Sequence, residues 1–90
     1  MMDYTKIIHA IIDPLVDDVD SLLIREIPQD SDKDLKIVIA ANKIDTARLI
    51  GKKGIIANSI REIISIAGKC DNKHIHLQFE SFEDENAVTD

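Results

Sequence analysis

Gly51-Lys52-Lys53-Gly54 is the stretch of this 90-residue chain whose residue types and spacing could do chemistry. Two glycines three positions apart free the backbone for positive φ and for close approach of another chain to its amides. A helix starting at Gly54 would present free N-terminal amides and the positive end of its dipole, which favour an anion. Lys52 and Lys53 add two mobile cations at the tip. The chemistry on offer is non-covalent phosphate binding. Taken alone, Gly-x-x-Gly with lysines is also ordinary punctuation between two helices.

Other candidate groups are weaker. His74 and His76 share a strand face, but zinc needs three or four ligands, and His9 and Cys70 stand at no matching spacing. Cys70 is the sole cysteine and has no patterned base or resolving thiol, so it reads as inert. The turn is not a nucleotide-hydrolase loop, whose glycines follow GxxxxGK[ST] after a strand. Neither a nucleophile with its base nor a facing pair of carboxylates stands out, and Asp17, Asp18 and Asp20 read as a solvated helix end. A non-enzymatic role without cofactor or metal is expected.

The elements that must position the turn follow from periodicity. Tyr4, Ile7, Ile8, Ile11, Ile12, Leu15, Val16 and Val19 recur at three- and four-residue steps, predicting a helix with Asp3 as N-cap and a kink near Asp13, with Pro14 facing outward. Residues 21 to 27 predict a strand stopped by Pro28, and 28 to 34 a turn. Leu35, Ile37, Ile39 and Ala41 alternate with less apolar positions as a second, antiparallel strand. Ile44, Ala47, Leu49 and Ile50 predict a short helix ending at Gly51; Ile56, Ile60, Ile63, Ile64 and Ala67 predict a longer one that Gly68 ends, followed by a loop. Ile75, Leu77 and Phe79 alternate with His74, His76 and Gln78 as a last strand with one wet face. The order α-β-β-α-α-β predicts a two-layer α+β domain, a three-stranded sheet with three helices on one face.

Composition bounds the rest. Ninety residues form one domain that buries only roughly 60 to 65% of its unfolded surface, which leaves little room for a deep active site. The core must be aliphatic, since Tyr4, Phe79 and Phe82 are the only aromatics. One cysteine excludes an internal disulfide and fits a reducing cytoplasm; the first eighteen residues lack the pattern of a signal peptide or a membrane span. The net charge is −6, yet residues 43 to 69 hold six basic against two acidic residues, and the remainder five basic against fifteen acidic. This split predicts a localised anion-binding surface on an acidic body. Residues 1–82 are expected to form the domain and 83–90, "EDENAVTD", a disordered acidic tail.

"LIGKKG" followed by an apolar helix with "SIREI" resembles the signature loop of the K-homology (KH) domain, whose GxxG turn clamps a few nucleotides of single-stranded nucleic acid. The element order resembles the type II form of that fold. "MDYTKIIHAIIDPLVDD" and the single-domain length resemble more narrowly the small bacterial single-KH proteins of the KhpA family, over about residues 2 to 80. The resemblance implies that Gly51, Lys52, Lys53 and Gly54 hold the sugar-phosphate chain and that Arg48 and Arg61 flank it. Ile44, Ile50 and Ile56 would supply apolar floor, and Lys69 and Lys73 would face the turn across the groove. It also implies a post-transcriptional regulator or RNA chaperone, self-associating or paired with a larger KH protein called KhpB or Jag, in RNA regulation connected with cell elongation and division. Where relatives tend to carry a basic or polar pair, this chain has Ile55 and Ile56. Ile55 therefore belongs either to the RNA site or to a protein interface, and a protein-interaction module with little RNA affinity is the competing expectation.

Overall fold

The computed structural model describes residues 3–82; the expected tail at 83–90 lies outside the described residues. Helix α1 spans Tyr4–Ile12, strand β1 Leu23–Pro28, strand β2 Asp34–Ala41, helix α2 Lys43–Ile50, helix α3 Ile55–Cys70 and strand β3 His74–Ser81. The sheet order is β1-β2-β3, with β1 antiparallel to β2 and β3 parallel to it. The predicted α+β order is thus observed.

The period-two pattern of β2 places Leu35, Ile37, Ile39 and Ala41 in the core and leaves Lys36, Val38 and Ala40 half-buried on the other face. In the register, Ile37 pairs with Leu77 and Ile39 with Phe79, so the apolar sides of β2 and β3 form one surface. Tyr4, Ile8 and Ile12 from α1, Leu49 from α2, and Ile60 and Ile64 from α3 close over it. Asp3 caps α1 by accepting from the Lys6 amide at 3.1 Å, as its position predicts.

The first helix is shorter than its apolar stripe. Pro14 cannot donate a helical hydrogen bond, and α1 gives way at Asp13–Leu15 to a single 3-10 turn with Pro14 exposed. Leu15 and Val19, predicted to continue the core stripe, are exposed; only Val16 remains buried. A second 3-10 turn, Val19–Ser21, leads into β1.

Helix α3 also ends differently from expectation. Gly68 lies inside its last turn, where a Cβ would stand 2.6 Å from Ile75 Cγ1 and 2.8 Å from the Lys73 carbonyl oxygen. Its role is close packing of α3 on β3. The chain reverses instead at Asn72, with φ 57°, a residue type that tolerates this region.

The Tyr4 hydroxyl donates to Asp71 Oδ2 at 2.6 Å, tying the start of α1 to the end of α3. Burial, then the Asp71 carboxylate, push the phenol up to about 12 from 10.0. The folded state therefore favours neutral Tyr4. This contribution is intact below pH 10 and lost as the pH rises from 10 towards 12. Tyr4 is the sole tyrosine. A tyrosinate absorbance titration should accordingly show one late transition in the folded protein that moves down to the ordinary value in urea.

Candidate nucleic-acid interface

The turn is built by its neighbours on both sides. Asn42 caps α2 by accepting from the Asp45 amide at 2.8 Å, and Thr46 Oγ1 reaches the Ala41 and Glu80 carbonyls at 3.2 and 3.3 Å. These bonds anchor α2 to the ends of β2 and β3. At the other end the Gly51 amide closes onto the Ala47 carbonyl at 2.9 Å, and Gly51 leaves the helix with φ 74°, ψ 177°. Lys52–Gly54 then forms a 3-10 turn in which Lys53 (φ 57°) and Gly54 (φ 78°, ψ 15°) are left-handed.

Three of the four turn residues thus hold positive φ, and Gly54 is the N-cap of α3 without a side-chain capping bond. The Gly54 amide closes onto the Gly51 carbonyl at 3.2 Å and the Ile55 amide onto that of Lys52, and the positive dipole end of the 16-residue helix lies beside the exposed Lys52 and Lys53. Successive backbone amides in this conformation form a concavity suited to an anion.

Arg48 lies on the exposed side of α2, where its Nη1 meets Asp17 Oδ1 at 2.8 Å. The Asp17 carboxylate raises the guanidinium's already high pKa, so Arg48 is paired to the loop after α1. Arg61 projects from α3 towards the outer strand β3. Its Nε donates to the Leu77 carbonyl at 3.2 Å, its Nη1 donates to Asn58 Oδ1 at 3.1 Å, and its guanidinium carbon stands 5.4 Å from the Phe79 ring centroid. A cleft of about 390 Å³ opens beside it, lined by Arg61, Glu62, Ser65, Ile75, His76 and Leu77.

Ile56 packs against the core and beneath Gly51, whereas Ile44 and Ile50 are exposed. The buried face of α2 is Asp45, Thr46 and Leu49, in place of the predicted Ile44, Ala47 and Ile50. Lys69 and Lys73 do not face the turn. They lie at the far end of α3, with Lys69 fourteen residues from Ile55, about 21 Å along the helix axis at 1.5 Å per residue. Ile55, Ile63 and Ile66 are 62, 47 and 63% exposed, and their spacing sets them on one outer stripe of α3. Ile63, predicted for the core, belongs to that stripe, and Ala57 takes the inner position.

The residue that periodicity missed is Asp45. Only 1% exposed, it accepts from the amides of Asp17 (3.0 Å) and Asp18 (3.1 Å) and from Asn42 Nδ2 (3.2 Å). The Asp17 amide, then that of Asp18, Arg48 and Asn42, hold its carboxyl below the usual range against the opposing effect of burial. The local signal was present: Asn42-x-x-Asp45 is a reciprocal cap at the start of a helix. Among the described residues no three His, Cys, Asp or Glu side chains converge to hold a metal, and no helix is long and apolar enough to cross a membrane.

An α-β-β-α-α-β chain with one parallel strand pair and a glycine-bounded turn between its second and third helices is a type II KH domain. The family model described as "KhpA/KhpB, KH domain" matches residues 5–79. The chain is 34% identical over 73 residues to RNA-binding protein KhpA of Listeria monocytogenes serovar 1/2a, covering 81% of this chain and 93% of that protein. It is 38% identical over 77 residues to RNA-binding protein KhpA of Bacillus subtilis strain 168, covering 86 and 89%. No solved structure matches it significantly. The chain belongs to the KhpA/KhpB KH-domain family.

Proposed function

We propose that this chain is a non-catalytic cytoplasmic protein that holds single-stranded RNA through the Gly51-Lys52-Lys53-Gly54 turn, as a post-transcriptional regulator or RNA chaperone. The observation that carries the reading is the turn itself: three positive-φ residues opening onto the uncapped N-terminus of α3 beside two exposed lysines. The relatives named RNA-binding protein KhpA support it. Phosphate would sit on the amides and lysines, and bases would lie over the cleft beside Arg61.

Single-strand binding loses about 0.7 of a log-log salt-slope unit per phosphate contact removed. Lys52→Asp/Lys53→Asp is therefore expected to lower the salt slope of RNA binding by about 1.4 and to leave thermal stability unchanged. Equal affinity and slope for wild type and variant in a fluorescence anisotropy titration would sink the proposal.

The exposed Ile55, Ile63 and Ile66 stripe supports self-association or pairing with a KhpB/Jag-like KH protein, which would join two short RNA grooves and raise the effective concentration of the second contact. The same stripe favours the second reading, a protein-interaction module with little RNA affinity. In that case Ile55→Asp removes the partner and wild type shows no salt-sensitive RNA binding.

A further inference from the structure

The end of β3 lies against α2. The Phe82 amide donates to the Ala41 carbonyl at 3.0 Å, one residue before the Asn42 cap, and Thr46 Oγ1 donates to the Glu80 carbonyl at 3.3 Å. Ile50 stands four residues after Thr46 on the same flank of the helix and is 37% exposed. It therefore separates the end of β3 from the turn, which begins at the next residue. From Thr46 to Ile50 the helix rises only about 6 Å at 1.5 Å per residue.

Over that short distance the charge changes sign. Residues 83–90 continue the chain from Phe82 with Glu83, Asp84, Glu85 and Asp90 and no basic residue. At the turn Lys52 and Lys53 are exposed, and among the described residues neither is in an ion pair. The neighbouring cation is already covered from within the chain, since Asp17 meets Arg48 at 2.8 Å. An extended chain gains about 3.3 to 3.6 Å per residue, so Glu85 can stand up to about 10 Å from Phe82. The acidic run is thus long enough to reach the two lysines while β3 stays paired.

We propose that residues 83–85 dock back on the turn, crossing Ile50 and pairing Asp84 and Glu85 with Lys52 and Lys53. The occupant of this basic surface in the absence of RNA is then the chain's own acidic segment, whose carboxylates take the place of phosphates. A tether this short holds them at an effective concentration on the order of mM, while each exposed ion pair is individually weak. An RNA making several contacts displaces the segment, and one making few is turned away. The docking stands on charge and reach; the competition rests on the reading of the turn as an RNA clamp.

The test compares the full chain as wild type, as Asp84→Asn/Glu85→Gln, and as Asp30→Asn/Asp32→Asn, which makes the same change of net charge beside the other end of β2. In amide correlation spectra without RNA, the Lys52, Lys53 and Gly54 signals of the first variant should move from their wild-type positions, and the difference should close at high salt. The second variant should leave them in place. Against a labelled oligouridylate of about six nucleotides, Asp84→Asn/Glu85→Gln should bind about three- to tenfold tighter than wild type at about 50 mM salt, and Asp30→Asn/Asp32→Asn much less so. Turn signals that do not move, or an equal gain in both variants, overturn the docking and leave only long-range repulsion by an acidic body. Turn signals that move while no form shows salt-sensitive RNA binding uphold the docking and overturn the RNA reading of the turn.

Discussion

Gly51→Ala is expected to destabilise the domain by about 3 kcal/mol, from backbone strain and from forced repacking of Ile56. The φ 74°, ψ 177° of Gly51 lies in a region that only glycine adopts readily. A Cβ there would also stand 2.7 Å from Ile56 Cγ1 and 3.0 Å from its Cδ1. Ile56 is partly buried and packed against the core, so moving it aside means repacking that contact. Gly54 makes the informative contrast: its φ 78°, ψ 15° is left-handed helical, and a Cβ would meet only Asn58 Nδ2 at 3.9 Å. Gly54→Asn should therefore cost about 1 kcal/mol or less, because asparagine tolerates that region. Urea denaturation of the two variants measures the difference. Equal losses would mean that the rigidity attributed to Gly51 is wrong. If the turn holds RNA as proposed, Gly51→Ala should also abolish binding under conditions where the protein is still folded.

Asp45→Ala is expected to lower the melting temperature by an amount on the order of 10 °C at neutral pH, since it removes the charge-assisted hydrogen bonds of a buried carboxylate to Asp17, Asp18 and Asn42. The amides of Asp17 and Asp18 would lose the buried acceptor they share, and the loop after α1 would lose its tie to α2. Asp45→Asn does not repair the defect, because its NH2 group would face one of those donors. The pH dependence has a definite sign. The folded carboxyl is held below its ordinary value of 3.8, so its contribution is complete above that value and is lost as the pH falls through the depressed one. The gap in melting temperature between wild type and variant should narrow below about pH 4. A gap that stayed constant into strong acid would show that the ionised carboxylate is not what holds the loop.

What the sequence disclosed was whatever depends on local spacing. The alternation of Leu35 to Ala41, the period of α3 and the glycine pair around two lysines are properties of neighbouring residues, and they placed five of the six regular elements within a few positions. The features that escaped depend on distant partners. Leu15 and Val19 match the helical period of α1, yet Pro14 ends that helix, and Asp45, 28 residues from Asp17, fixes the loop in another course. The inner face of α2 is polar because Thr46 and Asp45 serve carbonyls and amides on other segments, which hydrophobicity alone does not register. Gly68 looked like a helix end because its packing partner, Ile75, lies across the following turn. For the turn, local conformation was legible; the location of Lys69 and Lys73 required the length and direction of α3.

The parallel pairing of β3 with β2 also sets the order in which the chain can assemble. β1 and β2 are joined by a short turn and need only local contacts to pair. β3 finds its register on β2, Asp34 opposite His74, only after the intervening α2 and α3 have doubled back. Closing that loop costs entropy before any of its contacts reward it, and such non-local pairings are slow steps in folding. During synthesis the hairpin can form early, while the apolar faces of β2 and α3 wait for the last strand to emerge. The turn between α2 and α3 is thus made from neighbouring residues, but the cleft beside Arg61 exists only once the final strand is in place.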